Sequence, residues 1–253
     1  MADKGIIFSA SMVRALLAGR KSQTRRLLKP APIAKAASAR GVGVERANGR
    51  PAFNFYDQLG APIYAIPCAH GLIGDYVAPY APGDCLYVRE SWYCDHEDCQ
   101  RGPYLAPDGM DHETLVEDGW LHFMATDDPR LWEAGQPSWR PSIHMPRWAS
   151  RLWLSVTDVR VQRVQEISED DAREEGLERG CVGGLLPVYR GTPDLEWRIY
   201  PDNAFQALWN SLHTKPGERW EDDPWIVAIS FTVHHGNIDS NREPERATAA
   251  ENA

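Results

Sequence analysis

A chain of 253 residues, 43% apolar and 25% charged, is long enough to bury a core as one decorated domain or two small ones. A net charge of −9 speaks against broad nonspecific nucleic-acid binding, which rests on a positive surface, and no apolar run approaches the ~20 residues that span a bilayer. Five cysteines at irregular spacing do not read as a disulfide framework, and the N-terminus lacks a secretory pattern. A cytoplasmic protein that makes no membrane contact is therefore expected.

In chain order, Gly5 to Ser9 predicts a short strand. Ser9 or Ser11 can cap a helix carrying Met12, Ala15 and Leu16 on one face, and Gly19 supplies a left-handed stop. The next residues, LAGRKSQTRRL, gather Arg20, Lys21, Thr24, Arg25 and Arg26, the densest positive cluster in an acidic chain. They are expected to form the loop that leaves the helix. Such a loop can hold an anionic or amide-bearing ligand, or be no more than a solvated basic run; the arginines oppose protonation of Lys21 by like charge.

From Lys29 to about Pro51 the Ala-, Gly- and Pro-rich sequence predicts a long mobile loop, and Tyr64 to Tyr80 suggests a hairpin. Pro82-Gly83-Asp84 reads as a turn before a half-buried strand with Leu86 and Val88. Tyr93 to Ser138 reads as an insertion. Leu152 to Val164 predicts one or two strands, and Ser168 with Asp171 resembles a capping box opening the acidic helix SEDDAREEGL. After a second insertion around Cys181 to Trp197, Phe205, Leu208, Trp209 and Leu212 mark one face of a helix over Asp202 to Leu212, and WIVAISFTV reads as a buried strand. The polar residues after His235 are expected to be disordered.

Several strands, few helices and many turns favour a small barrel or strongly bent sheet over a doubly wound fold. The expected architecture is α+β, mainly β, in a single domain over 1–236. Insertions fall at about 30–62, 93–138 and 177–201, and a tail covers 237–253.

LLAGRKSQTRR, PGDCLYVRE, LSVTDVRVQRVQEIS with its acidic helix, and the closing WIVAISF together resemble the ASCH domains of the PUA-like superfamily. WRPSIHMPRWASR resembles the bacteriophage and prophage version of that domain. The resemblance covers about half the chain and rests on the order of the pieces. It implies a small β-barrel with a cleft that takes RNA or a modified nucleobase. It also implies an amidohydrolase related to one acting on N4-acetylcytidine, in which a lysine and a threonine of a GRKTxTxR loop and a glutamate on a later strand are catalytic. Lys21 and Thr24 match that motif; Ser155 occupies the glutamate's place in LSVTDVRV, and Glu90 is the nearest alternative carboxylate.

Lys21, Thr24 and Glu90 are thus the catalytic candidates. Arg20, Arg25 and Arg26 are candidate ligand contacts. A second cluster of Trp139, Arg140, Ser142 and His144 puts an aromatic plane beside a guanidinium and a hydroxyl, the kind of surface that stacks a base, although these residues can equally plug a core. Cys94, His96 and Cys99, with His112 and His122, lack zinc spacing, so neither metal nor cofactor is expected. The expected partner is a modified nucleoside or single-stranded nucleic acid. The alternatives are a noncatalytic reader of modified RNA or DNA and a phage factor that works through protein interaction.

Overall fold

The computed structural model describes residues 3–28, 41–47, 50–56, 75–77, 79–101, 105–127 and 138–240. They form a mixed, mainly β fold that divides into two units, the first from Met1–Gly19, Asp84–Ser155 and Thr232–Ala253, the second from Arg20–Gly83 and Val156–Phe231. No helix among the described residues is long and apolar enough to cross a membrane.

In the first unit, β1 (Asp3–Ile7) pairs in parallel with β6 (Cys85–Arg89), and β6 pairs antiparallel with the start of β9 (Leu152–Arg163). Ile6, Leu86, Val88, Leu152 and Leu154 are buried, as the period of two requires. Gly5 permits the close β1–β6 approach, since a Cβ there would stand 2.6 Å from Arg89 Cδ. Helix α1 (Ala10–Leu17) is capped by Ser9, whose Oγ accepts from Met12 N, and it closes through Gly19 at φ 66°.

The stretch expected to be an insertion from Tyr93 to Ser138 carries its own elements. They are β7 (Trp92–Cys94), α2 (Glu97–Arg101), α3 (His112–Glu117) and β8 (Leu121–Phe123). Trp92, Cys94, Cys99, Leu115, Leu121, Phe123, Met145 and Ala149 close a separate small core there. The elements are too short for a helical or strand period to emerge from sequence. The expected tail also begins as packed structure. The side-chain amide of Asn237 donates to the carbonyls of Arg147, Trp148 and Ser150, and Ile238 is buried. Residues 241–253 lie outside the described residues.

In the second unit, β2 (Gln23–Leu27) pairs antiparallel with β12 (Trp225–His235), from Ile226↔Leu27 to Ser230↔Gln23. This corrects the reading of the basic run as a loop: Thr24, Arg25 and Arg26 are strand residues. The buried, apolar β12 needs backbone partners, and that long-range demand outweighs the local charge of QTRRL. The loop expected from Lys29 to Pro51 is likewise corrected. Gly41–Ala47 (β3) pairs with Arg50–Tyr56 (β4), which pairs with Asp75–Val77 (β5). Register sets Val42 opposite Phe55 and Val44 opposite Phe53, a period of two that the intervening glycines conceal. Most of the remaining Tyr64 to Tyr80 hairpin lies outside the described residues.

The acidic helix is α4 (Glu169–Glu174), capped as expected by Ser168, whose Oγ accepts from Asp171 N at 3.1 Å. β10 (Glu178–Val182) and β11 (Leu186–Arg190) form a hairpin where an insertion was expected, and α5 (Pro201–Leu212) follows. Val164, Ala172, Leu177, Phe205, Leu208, Trp209 and Ile226 fill this unit's core. Pairing among the described strands does not close into a ring. Because α4 orients three carboxylates, Ser168→Ala should cost about 0.5–2 kcal/mol in urea unfolding. A change below ~0.3 kcal/mol would show that the cap is idle.

Candidate functional site

The acidic helix ends in the sequence Glu174-Glu175-Gly176-Leu177. Gly176 takes φ 95°, the left-handed conformation that stops a helix and leaves its last carbonyls open. The basic run lies along this end. Ser22 N donates to Glu174 O at 2.9 Å, Lys21 and Glu175 form an antiparallel bridge, and the Arg20 guanidinium donates to Gly176 O at 2.7 Å. Cations at a helix C-terminus face the negative end of its dipole, so the attraction is electrostatic as well as directional.

Lys21 is 1% exposed. Its Nζ donates to Glu175 Oε2 at 2.7 Å and to the Glu175 carbonyl at 2.8 Å. The other carboxylate oxygen, Oε1, accepts from Arg25 Nη1 at 3.0 Å, and Arg25 Nη2 stands 3.1 Å from Asp171 Oδ2. Gln23 reaches Asp171 and Glu174, and Arg160 reaches Asp171 from β9. Thr24, between Gln23 and Arg25, is buried. The Arg25 guanidinium also lies over the Phe205 ring, 5.7 Å from its centroid. A lysine, three arginines and three carboxylates therefore converge around the end of one short helix, while Thr24 alternates to the other face of β2 from Gln23 and Arg25.

Burial holds the Lys21 amine below its ordinary value; Glu175 opposes that shift, and Arg26 and Arg25 reinforce it. The anticipated arginine repulsion is present, but desolvation is the larger cause. Asp171 is pushed upward by burial, yet the Gln23 hydrogen bond and the Arg25 and Arg160 charges hold it below the usual carboxylate range. Burial also lowers Arg26.

The remaining candidates belong to the first unit. Both Glu90 oxygens accept from Arg151, at 2.9 and 3.0 Å, and burial raises the Glu90 pKa against that pairing. The Arg140 guanidinium donates to Cys99 O at 2.8 Å and lies 5.1 Å from the centroid of Trp92. The ring it covers is therefore Trp92. Trp139 is half-buried, Ser142 opens a short 3-10 turn, and His144 on that turn is exposed. Ser155 bonds His234 Nε2 at 2.8 Å.

The carboxylate that meets Lys21 is thus Glu175, which the sequence reading passed over by looking for a strand glutamate at Ser155. The available signal was the Glu-Glu-Gly stop of the acidic helix, a helix end that attracts cations. Among the described residues no group of three or more His, Cys, Asp or Glu side chains could hold a metal ion. No protein family, curated protein or solved structure matches the chain.

Proposed function

We propose that this chain is an ASCH-type protein of bacteriophage or prophage origin with a PUA-like barrel. It works in the cytoplasm, binds a nucleobase, nucleoside or short nucleic acid, and hydrolyses the N4-acyl amide of a modified cytidine. The observation that carries the reading is the buried Lys21–Glu175–Arg25 network, in the segment whose residues resemble the family's catalytic loop.

In the proposed step, neutral Lys21 takes a proton from a water molecule as the water oxygen attacks the acyl carbon. The amine leaves with a proton returned from Lys21, and the acyl group departs as the carboxylic acid. Glu175 aims the amine and steadies its charged form. Arg25, held by Glu175 and Asp171, keeps that carboxylate in place. Glu90 stays with Arg151.

The test is incubation with N4-acetylcytidine, following acyl loss by liquid chromatography. Lys21→Ala should lower turnover about 100- to 10,000-fold, the usual contribution of a positioned base. Wild-type turnover should rise with pH as Lys21 loses its proton, with a midpoint below the ordinary 10.5 because burial disfavours the ammonium. Unchanged turnover in the variant refutes the role of Lys21. A second reading, that the network is structural, is favoured by the 0% exposure of the Lys21 side chain. It predicts no acyl release from wild type and a well-folded Lys21→Met variant. Base binding without release assigns instead a noncatalytic reader.

A further inference from the structure

Ser155 and its partner His234 take no part in the proposed hydrolysis, and both belong to the first unit. Strands β6, β9 and β12 run side by side in one sheet. Leu86 and Val88 of β6 and Leu152 and Leu154 of β9 are buried in the core, so the period of two sends Tyr87, Trp153 and Ser155 to the opposite face, where all three are half-buried. His234 joins them from β12. Its ring stacks on Trp153, with centroids 3.8 Å apart and planes 7° from parallel, and its Nε2 lies 2.8 Å from Ser155 Oγ. Register sets Tyr87 opposite Trp153, and a Cβ on Gly5 would stand 2.9 Å from Tyr87 Cζ, so the phenol leans over β1 and away from the serine.

A hydroxyl within hydrogen-bond reach of an imidazole whose ring is itself held in place is the arrangement of an activated nucleophile. Stacking on the Trp153 indole fixes the imidazole plane, and with the ring proton on Nδ1 the serine hydroxyl donates to Nε2. The same indole brings a second feature. Its Nε1 is buried and has no hydrogen-bond partner among the described residues, an unused donor on the ring that clamps the base. A carbonyl oxygen is the kind of acceptor that such a donor lacks.

We infer that Ser155 and His234 are a nucleophile–base pair that cleaves small carboxylic esters. Ser155 Oγ attacks the ester carbonyl carbon and its proton passes to His234 Nε2; the bond to the alcohol oxygen breaks, and the alcohol leaves with that proton. Water then attacks the acyl-serine and gives a proton to Nε2. The bond to Oγ breaks, the acid departs, and the proton returns to Oγ. One ester and one water become one alcohol and one acid. Esters suit the pair better than amides because an alkoxide leaves with less assistance than an amide anion, and the uncharged Trp153 and Tyr87 rings on the same face favour an apolar acyl part. This activity is separate from the one proposed for Lys21, and neither depends on the other.

The experiment incubates the full chain with a biotinylated alkyl fluorophosphonate, which a nucleophilic serine attacks with loss of fluoride, and maps the digest by mass spectrometry. A parallel assay follows p-nitrophenyl acetate hydrolysis. The expected product is one phosphonylated peptide carrying the label on Ser155, with ester turnover above the buffer blank that the label abolishes. His234→Gln keeps a hydrogen-bonding side chain but no base, so labelling of Ser155 should slow by about 100-fold or more. Far-UV circular dichroism checks that this variant folds. Wild-type protein whose Ser155 stays bare, whether or not other hydroxyls are labelled, overturns the inference, and that readout does not depend on how any variant folds. Unchanged labelling in folded His234→Gln also overturns it.

Discussion

Glu175→Gln is expected to destabilise the second unit by about 3–5 kcal/mol near neutral pH, the cost of removing one partner from a buried ion pair. Glu175 holds Lys21 with one oxygen and Arg25 with the other, and it is 5% exposed. Arg25 keeps Asp171 at 3.1 Å, so the uncompensated charge falls mainly on Lys21. The neutral amide can still accept one hydrogen bond but offers no counter-charge to a desolvated ammonium. The pH dependence has a fixed sign. The folded Lys21 pKa lies below its unfolded value, so between the two the unfolded chain binds more protons and stability rises with pH. Glu175 is the influence that raises the Lys21 pKa, so its loss lowers it further and extends the rising limb toward lower pH. The deficit of Glu175→Gln should therefore be largest in acid and shrink as the medium becomes alkaline. Urea unfolding across pH measures it. Adding Lys21→Met to Glu175→Gln removes the stranded charge and should recover part of the loss. A single variant within ~0.5 kcal/mol of wild type at neutral pH, or a double variant weaker than the single one, defeats the account.

That network also marks the boundary of what the sequence could reveal. Periods were readable where an element was long and one face was buried: α1, α5, β6, β9 and β12 follow from Leu16, Phe205, Leu86, Leu154 and Ile229 and their spacing. The Ser168 cap was readable because its chemistry is local. β2 was not, since QTRRL has no strand signature of its own and takes its conformation from β12, about two hundred residues later in the chain. Lys21 and Thr24 stood out because basic and hydroxyl side chains are dense there, and their partner did not because residues 21 and 175 meet only through the fold. β7, α2, α3 and β8 were invisible for a different reason. Three- to six-residue elements show less than two helical turns or too few alternations, and their stability comes from packing around Trp92.

Trp92→Ala should accordingly cost about 3–5 kcal/mol, the range for truncating a buried aromatic that leaves a cavity. Trp92 is 0% exposed and meets Trp148 edge to face at 5.7 Å, while its backbone N–H and C=O both pair with Arg140. The backbone ladder survives the substitution. What is lost is the buried ring around which Cys94, Leu115, Leu121 and Met145 cluster, together with the favourable contact between the Arg140 guanidinium and the indole. Trp92→Phe should cost less than half as much. It keeps most of the apolar volume, and it deletes an indole N–H that is buried without a hydrogen-bond partner among the described residues, so the lost area is partly offset. Far-UV circular dichroism in urea reads both variants, because tryptophan emission itself changes with the substitution. Hydrogen exchange should localise the damage to β7, β8 and α3, with β2 and α4 still protected, since the affected core lies within the first unit. Equal deprotection of β2 and α4, or a Phe variant as unstable as the Ala variant, would mean that this small core does not rest on its tryptophan.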